Sequence, residues 1–143
     1  DIFPIVMACL NMSKQHVGAL IVMQNDLPLV DIIRTGEELN ARISQRLIEN
    51  IFFKNSPLHD GALIVSNGKL ASAGCILPVS HDSSLPRYLG LRHRSALGIA
   101  QETDAVAIVV SEETGNISMA YKGEIRLKMS TTDLEHQLAG IID

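Results

Sequence analysis

Asp60-Gly61-Ala62 sets a carboxylate directly before the apolar run Ala62-Leu-Ile-Val-Ser66. An acid at the end of a buried strand, followed by residues with almost no side chain, lets a ligand approach acid and backbone together. Such a carboxylate can orient or deprotonate a hydroxyl, or hold a hard cation. An aspartate that only caps its own turn gives the same pattern. Further along, Arg92-His93-Arg94 follows Gly90 at the expected start of a helix. Guanidinium forks match phosphate oxygens, and free N–H groups at a helix N-terminus attract anions. Residues two apart on a helix diverge, so Arg92 and Arg94 are expected to differ in role, one toward phosphate and the other in a structural ion pair. Two surface arginines beside a satisfied histidine is the alternative. Ser111-Glu112-Glu113 directly follows the apolar run Ala105 to Val110. Its carboxylates suit Mg²⁺ or Mn²⁺, or form a solvated acidic turn. His16, His81 and His136 have no evident partner and are read as surface residues.

The common alternatives are missing from the chain. It contains no P-loop, no GxGxxG, no HExxH, no spaced Cys/His zinc set and no GxSxG elbow. A net charge of -4 argues against a nucleic-acid partner, which would need clustered excess Lys and Arg. Cys9 and Cys75 sit in apolar stretches and read as buried, reduced thiols. No run reaches the roughly 18 apolar residues of a membrane span. The apolar segment Ile2 to Leu10 lacks the flanks of a signal peptide. The chain starts at Asp1, so a longer parent is expected, and an upstream anchor stays open.

Positioning these groups is the task of one domain. A length of 143 residues, 46% of them hydrophobic, fits one compact unit, and with aromatics at 3% its core must be aliphatic. Helices are expected over Ile5 to about Gln15, from a Thr35 cap to about Phe52, over His93 to Gln101 and over Thr132 to Ile142. The second rests on the capping-box spacing of Thr35 and Glu38 and on Leu39, Ile43, Leu47 and Ile51 four apart. Strands are expected over Val17–Met23, Leu29–Ile33, Ala62–Ser66, Lys69–Cys75, Ala105–Val110, Ile117–Tyr121 and Glu124–Lys128. Asn67-Gly68 and Lys122-Gly123 supply tight turns, and residues 78–90 a loop. Gly18-Ala-Leu-Ile-Val22 echoes Gly61-Ala-Leu-Ile-Val65 as two buried strands, not as a repeat. The expected fold class is α/β, with a mixed central β-sheet flanked by helices.

Taken in order, Leu58-His-Asp-Gly-Ala62, Ala73-Gly-Cys-Ile-Leu-Pro78, Gly90-Leu-Arg-His-Arg94 and Val110-Ser-Glu-Glu-Thr-Gly115 resemble the diadenylate cyclase domain, as does Thr35-Gly-Glu-Glu-Leu-Asn40. The resemblance covers about residues 13–130 of a single 1–143 domain and leans toward the membrane-anchored bacterial type. It implies that two ATP molecules become the second messenger cyclic di-AMP in a face-to-face homodimer, with Mg²⁺ or Mn²⁺. It also implies a soluble catalytic piece whose parent sits on the cytoplasmic side of the membrane, held by a segment absent here. By position, the resemblance gives catalysis to Asp60, Arg92, His93 and Arg94. Gly61 and Ala62 would lie against the nucleotide, and Leu77 would meet adenine through its backbone. Arg92 and Ser111 would hold phosphate, while Asp60, Glu113 and His59 would hold metal. Leu91 stands where many relatives have Thr, and Ile76 where many have Tyr. A non-catalytic adenine-nucleotide sensor using the same pocket is the competing reading.

Overall fold

The computed structural model describes residues 1–142. In chain order the elements are α1 (Phe3–Gln15), β1 (Ala19–Met23), α2 (Val30–Ile33), β2 (Glu37–Arg42), α3 (Gln45–Phe52), β3 (Ala62–Ser66) and β4 (Lys69–Cys75). They continue as α4 (Leu91–Glu102), β5 (Val106–Val110), β6 (Ile117–Tyr121), β7 (Glu124–Met129) and α5 (Thr131–Ile142).

β1, β3 and β5 are buried at every position. Strands that are apolar on both faces must be covered on both faces. They form the middle of a seven-stranded sheet of order β2-β4-β3-β1-β5-β6-β7. β1 and β3 run parallel, and every other neighbouring pair is antiparallel. The alternation of side chains sorts the core. Ala19, Ile21 and Met23 of β1 join Leu63 and Val65 of β3 against Ile5, Met12, Phe52 and Leu134 from α1, α3 and α5. Leu20 and Val22 join Ala62 and Ile64 on the opposite face, against Ala96 and Ile99 of α4 and Ile32 and Ile33 of α2. The result is the expected mixed-sheet sandwich of three layers. Both cysteines are buried and unpaired, and burial pushes the Cys9 thiol up to about 12.

Two elements differ from their sequence expectation. The helix expected from Thr35 is a strand, β2, followed by a shorter helix, α3. A spacing of four is also a multiple of two. Leu39, Ala41 and Ile43 therefore pack on the core with strand alternation, and the helical pattern starts only with Leu47. Asn40 takes a left-handed backbone (φ 48) at an irregularity between Glu38 and Ala41, which no helix interior accommodates. Ser44 is the true cap, its side chain accepting from the Leu47 N–H at 3.3 Å. Thr35 instead donates to the Ile32 carbonyl at 2.6 Å and accepts from the Ile76 N–H at 2.9 Å, which ties α2 to the exit of β4. The short strand expected over 29–33 is the single helical turn α2. A brief apolar run fits either state, and here the Ile33 N–H closes a helical turn onto the Leu29 carbonyl at 2.9 Å, while Gln24 Oε1 accepts the Leu29 N–H at 3.0 Å.

Ser44→Ala removes the cap of α3. It should cost about 1 kcal/mol, a fall of about 2–4 °C in Tm measured by scanning calorimetry. An unchanged melting point would mean that α3 does not start at this cap.

Candidate active site

The pairing of the middle strands decides where polar residues can gather. β1 and β3 begin at the same edge of the sheet, and β5 ends there because Ala19 pairs with Val110. The first turn of α4 projects over this edge, and a cleft of about 950 Å³ opens between them. His59, Asp60, Gly61, Arg92, His93, Ser111 and Glu113 all line it. The three polar runs, far apart in sequence, thus meet in one place.

Asp60 stands at the start of β3 with its side chain 88% exposed. Its Oδ1 lies 3.3 Å from His59 Nε2. The other ring nitrogen, Nδ1, is 2.7 Å from the Ser56 carbonyl oxygen. A carbonyl can only accept, so that contact places a proton on Nδ1 and leaves Nε2 as the ring nitrogen that faces the carboxylate. A ring nitrogen and a carboxylate oxygen placed this way can share a proton or hold a cation between them. Gly61 has φ +87, and a Cβ there would stand 2.7 Å from the Cys75 carbonyl oxygen. The glycine is thus required by β4 as well as by its own backbone. Ala62 is fully buried in the core below the cleft.

Arg92 reaches into the cleft from α4, its Nη1 3.5 Å from Glu112 Oε1. The guanidinium fills the space a side chain at position 18 would need: a Cβ on Gly18 would lie 2.5 Å from Nη1. Arg94 turns away, as helical spacing requires. Its Nη1 donates to the Asp82 carbonyl at 3.4 Å, and it does not line the cleft. His93 is buried on the cleft wall, and burial first, then the Arg92 charge, holds its pKa below the ordinary value of 6.5. The Ser111 hydroxyl accepts from the backbone N–H groups of Glu113 and Thr114, both at 3.3 Å. Ser13 of α1 in turn donates to the Gly115 carbonyl, pinning this acidic turn to the helix. Leu77 is buried and off the cleft lining. Leu91 lines the cleft at 67% exposure, while Ile76, equally open at 71%, does not.

The structure adds cleft residues that no local pattern marked: Gly18, Lys54, Tyr88 and Lys128, with exposed His16 on the rim. Only Gly18 carried a trace in the sequence, as the first residue of the echoed strand. Among the described residues no three His, Cys, Asp or Glu side chains gather into a metal-binding group. His59 and Asp60 form a two-donor pair, with Glu113 separate on the same cleft.

Fold and cleft define a single-sheet α/β domain with an acid and an arginine at one strand edge. The chain belongs to the DAC family, described as DisA bacterial checkpoint controller nucleotide-binding, whose model matches residues 6–125. It is 43% identical over 127 residues to the cyclic di-AMP synthase CdaA of Bacillus subtilis, covering 89% of this chain and 46% of that protein. It is 49% identical over 123 residues to a diadenylate cyclase of Listeria monocytogenes, covering 86% of this chain and 45% of that one. The chain thus spans about half the length of these curated relatives. Among solved structures, a double cysteine mutant of DacA from Staphylococcus aureus superposes with a TM-score of 0.96 at 41% identity, covering 98% of this chain and 93% of that one. A hypothetical membrane spanning protein from Bacillus cereus gives 0.84 at 40%, covering 88% and 62%.

The position of His93 has a consequence for stability. Its folded pKa is depressed, so just below pH 6.5 the unfolded chain binds a proton that the fold refuses. The unfolded state then holds more protons, and stability falls as pH drops through about 6.5. Tm should therefore fall between about pH 7.5 and 5.5, and fall less in His93→Gln. Equal slopes in the two proteins would mean that His93 is not held neutral by the fold.

Proposed function

We propose that this chain is the catalytic domain of a diadenylate cyclase. It would condense two ATP molecules into cyclic di-AMP and two pyrophosphates. The observation that carries the reading is the convergence of Asp60 and Arg92 from separate elements onto one cleft. The family relationship and the names of the similar proteins support it.

In this reading each subunit presents one ATP. The 3′-hydroxyl oxygen of one nucleotide attacks the α-phosphorus of the other. A new P–O bond forms, the α–β bridging bond breaks, and pyrophosphate leaves with the bonding electrons. Asp60 orients the attacking hydroxyl and takes its proton, which passes to solvent. Its exposure at the cleft mouth leaves the carboxylate open to the ribose of the nucleotide bound in the same cleft. Arg92 neutralises the phosphates as a fork, backed by Gly18 and Ser111. His93, beside it on the wall, is kept neutral and serves as a hydrogen-bonding group rather than a charge. Arg94 acts through the 80–84 loop as a positioning residue, because it faces Asp82. Leu77 follows the β4 exit that Thr35 holds, and would offer its backbone to adenine from there.

A divalent cation, Mg²⁺ or Mn²⁺, fits the donor set. His59 Nε2 and Asp60 Oδ1 form a preorganised pair, and such ions take one or two protein carboxylates and leave the remaining positions to phosphates and water. Glu113 is the further candidate on the same cleft. The ion would supply neutralisation of phosphate charge. No helix among the described residues is long and apolar enough to cross a membrane. Any anchor in the parent would lie outside them, and the catalytic domain would work on the cytoplasmic side, where ATP is available.

Incubation with ATP and Mg²⁺ or Mn²⁺, followed by chromatography, should yield cyclic di-AMP. Asp60→Asn should lower turnover about 100-fold or more with Tm retained. Near wild-type turnover at saturating ATP and metal would remove Asp60 from the mechanism. The two-subunit arrangement makes a further demand, since one cleft presents one nucleotide. Activity per mole of protein should fall on dilution at saturating ATP. Constant specific activity in a preparation that light scattering finds monomeric would end the dimer mechanism.

A further inference from the structure

Six residues other than glycine adopt a left-handed backbone: His16, Asn40, Asn55, Asn67, Lys122 and Lys128. Five have an ordinary reason. His16 ends α1, Asn67 and Lys122 open tight turns with Gly68 and Gly123, and Asn40 and Asn55 are of the residue type that tolerates this region. Lys128 has none. It is a long side chain inside the strand β7, with φ 56. Strain of this kind persists where the surroundings impose it, and it clusters at sites of function.

The cause is a bulge. Ile117 pairs with Met129 and Met119 with Arg126, so β7 carries one more residue than β6 across this step. In a regular strand Leu127 and Met129 would share a face. Here Leu127 packs against Leu85, Leu89 and Leu97 below α4, while Met129 enters the core on the opposite face of the sheet. The reversal falls on Lys128, which is left exposed and lining the cleft. Neither ion pair among the described residues involves it. It is a cation without a partner, held in the cleft by a strained backbone.

We propose that Lys128 binds the β- and γ-phosphates of the nucleotide, and so the pyrophosphate leaving group; this rests on the ATP reading above. The order of strands carries the assignment. Along the cleft edge, Asp60 marks β3, Arg92 and Ser111 mark the β1–β5 step, and Lys128 marks β7. With the ribose at Asp60 and the α-phosphate at Arg92, the rest of the triphosphate runs toward β7. Three strand spacings, about 14 Å, separate β1 from β7. An extended triphosphate and a lysine side chain span that gap together. A lysine offers a point charge suited to mobile terminal phosphates, where the Arg92 fork fixes orientation.

The test is calorimetric titration of wild type, Lys128→Gln and Lys128→Gly with Mg²⁺ and three probes: α,β-methylene-ATP, which cannot release pyrophosphate, then AMP, then pyrophosphate. Both variants should weaken the ATP analogue and pyrophosphate roughly tenfold and leave AMP unchanged, since AMP carries no distal phosphate. Lys128→Gly should also melt at or above the wild-type temperature, because glycine accepts the left-handed backbone freely. That separates the charge from the fold. Unchanged analogue binding in both variants, or parallel loss of AMP and analogue, would overturn the assignment. If wild type makes cyclic di-AMP while the variants bind normally, only the role of Lys128 falls. If wild type neither binds the analogue nor makes product, the ATP reading falls and takes this proposal with it.

Discussion

The cleft depends on the pairing of β1 with β3 on one side and β5 on the other. These three strands are buried on both faces, so their polar ends are the only places where chemistry can reach solvent. Because β1 and β3 run parallel and β5 runs against them, one sheet edge collects two strand beginnings and one strand end. Asp60, Gly18 and Ser111 come together for that reason. Open parallel sheets usually place ligands beyond the carboxyl ends of their strands. In this sheet a single parallel pair is flanked by antiparallel neighbours, and the cleft lies at the amino ends of that pair instead.

The charge pattern follows from the same geometry. The cleft brings Lys54, Arg92 and Lys128 together with Asp60, Glu112 and Glu113. A phosphorylated ligand entering it meets carboxylates as well as cations. A divalent cation, if bound, would be held by these carboxylates and would supply the neutralisation that the cations of the cleft leave incomplete. The Arg92–Glu112 contact, with Glu112 more than half exposed, is the weak kind of pair that a phosphate can displace.

The sequence made the middle of the molecule readable and its edges less so. Runs such as Val106–Val110, rich in β-branched residues and bounded by polar ones, are strands buried throughout. The divergence of Arg92 and Arg94 followed from helical spacing alone. The edge strand β2 reads as the start of a helix because Leu39 continues to Ile43, Leu47 and Ile51 four apart, a spacing that strand and helix share, and because Asn40 breaks its regularity. Thr35 carries capping-box spacing, yet it ties two elements together across the fold, which local sequence cannot reveal. Lys54 and Lys128 stayed hidden for a different reason. A lone lysine belongs to no motif, and the alternation of Glu124 to Lys128 cannot show the bulge against β6 that puts Lys128 on the cleft.

Gly61 and Asp60, neighbours in the same motif, answer to different pressures over evolutionary time. Position 61 is closed to every side chain by the Cys75 carbonyl and by its own φ, whatever the protein does. A descendant that lost all activity would still have to keep that glycine to fold. Asp60 is 88% exposed and has His59 as its neighbour across 3.3 Å, so the fold asks little of it. If the proposed chemistry were no longer needed, the fold would not hold the aspartate in place. The glycine answers to the fold, and the aspartate would answer only to the chemistry proposed for the cleft.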